Sequence, residues 1–310
     1  MTIRIGTAPV SYGIFGSSGD RDAGETLLDS AAAAGFSGLE LGPPALFGTP
    51  RETAERFQRR GLEIVAAYIP IHFAADDPTV TADLVTMRRI LEELTAGGAT
   101  KALAILADEG TPILRSNPAR SWSDRSLALD DEGWRLLGQR LDQAMAMAAG
   151  FGVPTSFHPH IGTYVESPWE VERLLELSDI RLTLDTGHFA LAGADPGEAL
   201  ERFGDKVNHI HAKDVRFEVL QRAKAERRVD FETWWADVSC PLGKGDIDLE
   251  AFVDVLVAQR YDGWIVIEQD RAPTAAAAFG DVAQEQAVNR QWMEAALAGR
   301  GARSEARAGA

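Results

Sequence analysis

Short apolar runs alternate with longer amphipathic stretches along nearly the whole chain. Eight runs read as strands: IRIGTAPV (3–10), SGLELG (37–42), LEIVAAYIPI (62–71), KALAILA (101–107), VPTSFHPH (153–160), IRLTLD (180–185), VNHIHAKD (207–214) and GWIVIEQ (263–269). Each is brief, rich in Val, Ile or Leu, and without the clear alternation of a sheet that has one wet face. Such runs suit strands covered on both sides, as in a parallel sheet. Between them, segments 23–34, 51–60, 79–96, 130–149, 168–177, 196–203, 248–259 and 274–298 carry apolar residues at helical spacing. A glycine recurs where helix gives way to strand: Gly35, Gly61, Gly97, Gly98, Gly150 and Gly152. Glycine just past a helix end is the expected stop, because it enters the left-handed region without strain.

Strict alternation of eight strands with helices predicts an α/β fold, a single (β/α)8 TIM barrel. A doubly wound sheet competes, but no strand is followed by G-x-G-x-x-G and no P-loop motif appears. The barrel is expected over 1–298, with a flexible tail at 299–310 (GRGARSEARAGA) that has little apolar content. Two connections are long, 108–127 after strand 4 and 215–246 after strand 7. Both leave from the face that carries the active site in such barrels, where long loops cover the site or meet a neighbouring subunit.

Bulk composition narrows the class. The chain has 310 residues, 45% hydrophobic and 25% charged, which is ordinary for a globular protein. A formal charge of −16 argues against nucleic acid and anionic membranes as partners. Cys240 is the lone cysteine, so no internal disulfide can form. The start, MTIRIGTAPV, lacks a basic stretch followed by a long apolar one, so no signal peptide is expected. No apolar run is long enough to cross a bilayer, and a cytoplasmic protein is the expectation.

The chemistry gathers at the strand ends. His158 and His160 close strand 5, Asp185 closes strand 6 with His188 just beyond, and strand 7 carries His209, His211, Lys213 and Asp214. Glu268 and Asp270 close strand 8, and His72 follows strand 3. All six histidines of the chain therefore fall at or near strand ends, which ring one cavity in a barrel. Nitrogen and oxygen donors around an open cavity suit a divalent cation such as Mn²⁺, Co²⁺ or Zn²⁺. A buried polar network that merely closes the barrel is the plainer alternative. Lys213 shares a face with His209 and His211 by its spacing; its plainer alternative is a surface lysine paired with Asp214.

The ordered set LTLDTGH, NHIHAKDVR, PLGKGDIDL and GWIVIEQD resembles the xylose-isomerase-like sugar isomerase/epimerase superfamily of TIM barrels. Within it, IGTAPVSYG, HPHIGTYVES, LDTGHFALAGADP, HIHAKDVR and GKGDIDLEAF look like the inosose dehydratases of inositol catabolism. The resemblance spans about residues 3–270. It implies four metal ligands from strands 5 to 8, and Asp185, His211 and Glu268 match three of them. Isomerases and epimerases of the superfamily place a Glu at the end of strand 5, where this chain has His158. Either His158 itself or Glu166, folding back from the following loop, supplies the fourth ligand. Glu166 otherwise reads as an acid in the first turn of a helix. The resemblance also implies Mn²⁺ or Co²⁺, with Zn²⁺ and Mg²⁺ as alternatives, and a small polyol or keto-sugar as substrate. His188, His72 and Arg216 are the expected substrate contacts.

A cation that chelates a ketone and its neighbouring hydroxyl lowers the cost of removing the α-proton, giving an enediolate. Proton return yields an epimer or isomer; loss of a β-hydroxyl yields a dehydrated product. Elimination needs a general acid as well as a base, and His158, His160 and Lys213 are the candidates. The expectation is a metal-dependent hydro-lyase, with scyllo-inosose as the substrate implied by the resemblance. Ketose isomerisation or epimerisation and eliminative cleavage of 3-keto-glycosides are the alternatives. For the last, Trp122, Phe231, Trp234 and Trp235 in the long loops offer surfaces for an aglycone, or else simply pack the loops or a subunit contact. A homo-oligomer is compatible with the loop after strand 7. An apurinic-site nuclease of the same barrel would need less negative charge and more strand-end carboxylates, and a non-enzymatic binding barrel would hold no cation.

Overall fold

A computed structural model describes residues 2–15, 21–96, 101–228 and 231–304. The strands are β1 (Ile3–Thr7), β2 (Gly38–Leu41), β3 (Glu63–Ile71), β4 (Leu103–Asp108), β5 (Thr155–Phe157), β6 (Leu182–Asp185), β7 (Val207–Ala212), β8 (Asp214–Val215), β9 (Ser239–Cys240) and β10 (Gly263–Ile267). The helices are α1 (Arg21–Ala33), α2 (Pro50–Arg59), α3 (Asp77–Thr95), α4 (Pro112–Arg115), α5 (Asp131–Gly150), α6 (Pro168–Leu177), α7 (Thr186–Leu191), α8 (Pro196–Phe203), α9 (Phe217–Glu226), α10 (Phe231–Val238), α11 (Leu249–Ala258) and α12 (Phe279–Gly299).

All eight expected strands form and close into one parallel barrel in the order β1-β10-β7-β6-β5-β4-β3-β2. The helix-to-strand joints explain the recurrent glycines: φ is +86° at Gly35, +61° at Gly61 and +71° at Gly152. Gly150 instead ends α5 as its last helical residue, and Gly97 and Gly98 lie outside the described residues. Helix starts are capped by side chains accepting backbone N–H groups, as with Thr49 on α2, Asp76 on α3 and Asp130 on α5. Below the mouth, the barrel interior is filled by large residues entering beside glycine. A Cβ on Gly38 would lie 2.5 Å from Val65 and 2.7 Å from Trp264.

The segment after β7 is far from an open loop. It holds α9, α10 and a small antiparallel ribbon in which Asp214 pairs with Cys240 and Val215 with Ser239. The Asp214 carboxylate organises the return, accepting N–H groups of Val215, Lys244, Gly245 and Ile247. Asp214 is thus engaged with backbone rather than with Lys213. At the other end of the chain, Ala302 is buried and Ser304 bridges Ile3. Residues 305–310 lie outside the described residues. Among the described residues no helix is long and apolar enough to cross a membrane.

Candidate metal centre at the barrel mouth

Four side chains meet where β5, β6, β7 and β10 end. His158 follows the last residue of β5, Asp185 ends β6, His211 sits near the end of β7, and Glu268 follows β10. The register places Asp185 opposite His211 and His211 opposite Val266. One ligand atom from each of the four lies within 4.8 Å of every other. Asp185 Oδ2 is 3.6 Å from His158 Nε2 and 3.8 Å from His211 Nδ1, and His211 Nδ1 is 3.0 Å from Glu268 Oε2. Asp185 Oδ2 and His211 Nδ1 are buried and without a hydrogen-bond partner. Buried polar atoms rarely go unpaired. Two imidazole nitrogens and two carboxylate oxygens converging on one point fit a divalent cation. Of the four, Glu268 is the one open to the cavity, with 12% of its side chain exposed.

Asp185 has a second duty. Its Oδ1 accepts the His188 N–H at 2.9 Å and caps α7, the short helix that carries TGHFAL. Burial opposes ionisation of Asp185, but Lys213 and the surrounding histidines outweigh it and hold its carboxyl well below the usual range.

Lys213 is buried in the ring rather than at the surface. Its Nζ lies 2.6 Å from Asp270, 3.3 Å from Glu268 and 3.5 Å from Asp185. Burial lowers its proton affinity, yet the three carboxylates more than compensate and keep it charged. Asp270 is pushed up to about 6, chiefly by burial. Gly187 makes room for this lysine: a Cβ there would lie 2.7 Å from Lys213 Cδ.

His160 and His188 form one wall, with ring centroids 3.9 Å apart. His160 Nδ1 donates to the Ile161 carbonyl at 2.8 Å, leaving its lone pair on Nε2. Burial and the neighbouring His158 push its pKa down to about 3, so its ring is neutral near pH 7. His188 Nδ1 accepts the Ile161 N–H at 3.3 Å, so its proton sits on Nε2. Trp235 of α10 stacks on His188 at 5.0 Å with an interplanar angle of 13°, and its ring lies 5.2 Å from Lys213 Nζ.

Of the two options for the fourth donor, the fold brings His158 to the cluster. Glu166 is buried elsewhere. Its Oε1 accepts the Arg120 N–H at 2.8 Å and faces the guanidinium at 3.3 Å, while Oε2 accepts the Gly162 N–H at 2.6 Å. The long connection after β4 delivers Arg120 to that spot, which the local pattern around Glu166 does not announce. His72 turns from the ring to Asp83 of α3, 3.0 Å away. Arg216 is half-buried at the start of α9, and its backbone N–H is held by Val238. Among the described residues no hydrogen bond or ion pair joins either to the four donors. Trp234 is fully buried and packs its segment, whereas Trp122 donates to the Ala192 carbonyl at 2.7 Å and keeps much of its ring exposed. The Phe231 side chain lies outside the described residues.

Three further residues of this region lie outside the motifs that the sequence offers. Glu40 of β2 binds His209 and His211 from below, at 2.8 and 3.0 Å; its signal was an acid flanked by leucines in a strand buried on both faces. Asp108 ends β4, 2% exposed, its Oδ1 unpaired; a carboxylate closing an apolar strand was again the signal. Tyr68 of β3 stands edge-on to His158 at 5.9 Å.

The family model described as xylose isomerase-like TIM barrel matches residues 28–295. An inosose dehydratase of Geobacillus kaustophilus (strain HTA426) is 31% identical over 285 residues, spanning 88% of this chain and 89% of its own. Two solved structures share the fold. An L-ribulose 3-epimerase gives a TM-score of 0.71 at 19% identity, over 96% of this chain and 95% of its own. The IOLI protein with a binding zinc atom gives 0.70 at 14% identity, over 96% and 98%.

Proposed function

The chain belongs to the xylose isomerase-like TIM-barrel family and is an enzyme of it, and we propose that it is a divalent-metal-dependent dehydratase acting on a keto-polyol. The single observation that carries this is the make-up of the ring. A histidine, His158, stands where the isomerases and epimerases of the resemblance place a Glu, and a charged, buried Lys213 lies beside the donors. The inosose dehydratase relative supports scyllo-inosose as the substrate, and the zinc-binding barrel of like fold supports a cation at the mouth. We take Mn²⁺ or Co²⁺ as the working metals.

His158, Asp185, His211 and Glu268 would hold the ion. When bound, it would polarise the substrate carbonyl and its neighbouring hydroxyl and so ease loss of the α-proton. The remaining groups divide the proton work. His160, neutral and with its lone pair on Nε2, is the base. Lys213, charged and ion-paired with Asp270 at 2.6 Å, is the acid beside the departing hydroxyl. Its charge also offsets negative charge as it grows on the substrate oxygens. His188 and Trp235 close that wall against water. Tyr68, edge-on to His158, is the group we assign to hydroxyls remote from the reacting carbons.

The test is direct. Protein loaded with Mn²⁺ or Co²⁺ is incubated with scyllo-inosose, and absorbance of a conjugated dione is followed together with product mass. Growth of the band with loss of water supports the reading. Conserved mass with deuterium uptake at carbon would replace it by epimerisation or isomerisation, and no change would remove the substrate.

A further inference from the structure

The layer beneath the four donors has a function of its own, and it rests on the reading of the mouth as a cation site. Glu40 stands on β2, and β1 and β10 separate that strand from β7 in the barrel wall. It nonetheless reaches across the interior. One oxygen, Oε1, lies 2.8 Å from His209 Nε2 and 3.0 Å from His211 Nε2. The three side chains are at most 3% exposed. An ionised carboxylate only accepts, so both nitrogens that face it carry protons. With the proton on Nδ1 instead, the His211 Nε2 lone pair would face Glu40 Oε1 at 3.0 Å in a dry interior with nothing between them. With the proton on Nε2, the Nδ1 lone pair faces Glu268 Oε2, also 3.0 Å away, and a cation held between those two donors relieves that repulsion.

We infer that Glu40 is a positioning residue for the metal centre: it fixes the His211 proton on Nε2 and so turns the Nδ1 lone pair toward Asp185 and Glu268. The same oxygen holds His209, whose ring stands nearly perpendicular to that of His211 at 5.1 Å and limits how it can tilt. Metal-binding imidazoles are oriented in this way by a carboxylate on their far nitrogen. The alternative, that Glu40, His209 and His211 themselves clasp a second ion, fits less well. Their contacts already satisfy hydrogen-bond geometry, whereas Asp185 Oδ2 and His211 Nδ1 above them have no partner.

The experiment is calorimetric titration of the metal-free full-length protein with Mn²⁺ and Co²⁺ alone, for the wild type, Glu40→Gln, Glu40→Ala and His209→Phe. Folding of each is checked by circular dichroism and by melting in EDTA. The expected result is one ion per chain in the wild type. Affinity should fall about 10–100-fold in Glu40→Ala, the range for such outer partners. Glu40→Gln, which keeps an acceptor oxygen, should fall between, and His209→Phe should keep one ion with a smaller loss. If Glu40→Ala does not fold, Glu40→Gln and Glu40→Asp carry the comparison. A purely structural Glu40 would lower the melting temperature and leave the dissociation constant unchanged, which overturns the inference. Two ions in the wild type with one lost in His209→Phe overturns it in favour of the second site. No binding by the wild type removes the cation site itself, and the inference with it.

Discussion

Replacing Glu166 should damage the fold and spare the metal, and replacing His158 should do the reverse. Glu166 is 1% exposed, and it spends both oxygens on protein: two backbone N–H groups and the Arg120 guanidinium, itself 5% exposed. Glu166→Gln turns one acceptor oxygen into a donor, leaving a buried N–H unpaired at a cost of about 1–3 kcal/mol. It also removes one partner of a buried ion pair, a change that typically costs about 3–5 kcal/mol. These costs overlap, because Glu170 remains bound to Arg120 at 2.8 Å, so the expected loss is about 3–5 kcal/mol in total. At a few degrees per kcal/mol, melting of the metal-free protein should drop on the order of 10 °C. Affinity for Mn²⁺ should stay within about threefold of wild type, since no Glu166 oxygen faces the donors. His158→Ala removes a donor outright. Its affinity should fall more than about 100-fold, beyond the range of outer partners, with a smaller change in metal-free stability than Glu166→Gln. Calorimetric titration and differential scanning calorimetry in EDTA read both quantities. If Glu166→Gln bound Mn²⁺ as poorly as His158→Ala, the assignment of the fourth donor would be wrong.

Other outcomes follow from single contacts. Burial pushes Asp108 up from the ordinary 3.8 to about 6. The folded state therefore holds that proton more tightly, and the contribution is full below pH 4 and lost as pH rises through 6. Relative to Asp108→Asn, the wild type should lose roughly 3 kcal/mol between pH 4 and 7; parallel stability curves in urea would contradict this. Gly187→Ala drives a Cβ to 2.7 Å from Lys213 Cδ. It should lower kcat by up to about 100-fold through misplacement of the ammonium while metal affinity changes little, and an unchanged kcat would remove Lys213 from the proton work. Lys213→Met should lose turnover yet still bind the ion, and full activity in that variant would sink the acid assignment.

The barrel was legible because its evidence is local. Eight apolar runs, their glycine stops and the strand-end positions of Asp185, His211 and Glu268 can be read one segment at a time. What was hidden depends on distant segments. Residues 215–246 read as a loop because α9, α10 and the β8–β9 ribbon are held by Asp214 reaching Lys244, Gly245 and Ile247. Trp235 finds His188 only once that segment is folded. The sequence leaves His158 and Glu166 both open for the same reason, since Arg120, which occupies Glu166, lies 46 positions away. Lys213 is placed on the inward face by its spacing, but its partner Asp270 arrives from another strand end and is not legible from the segment around the lysine. α7 is too short to show a helical period, and its only local sign is its cap, Asp185, whose carboxylate also faces the donor cluster.

The central claim is that His158, Asp185, His211 and Glu268 share one divalent cation. An anomalous difference map from crystals soaked in Mn²⁺ tests it most directly. The account predicts a single strong peak within coordination distance of one atom from each of the four, with Glu166 still bound to Arg120 and Gly162. A peak with Glu166 among its ligands and His158 turned away, or no peak at the mouth, would contradict it.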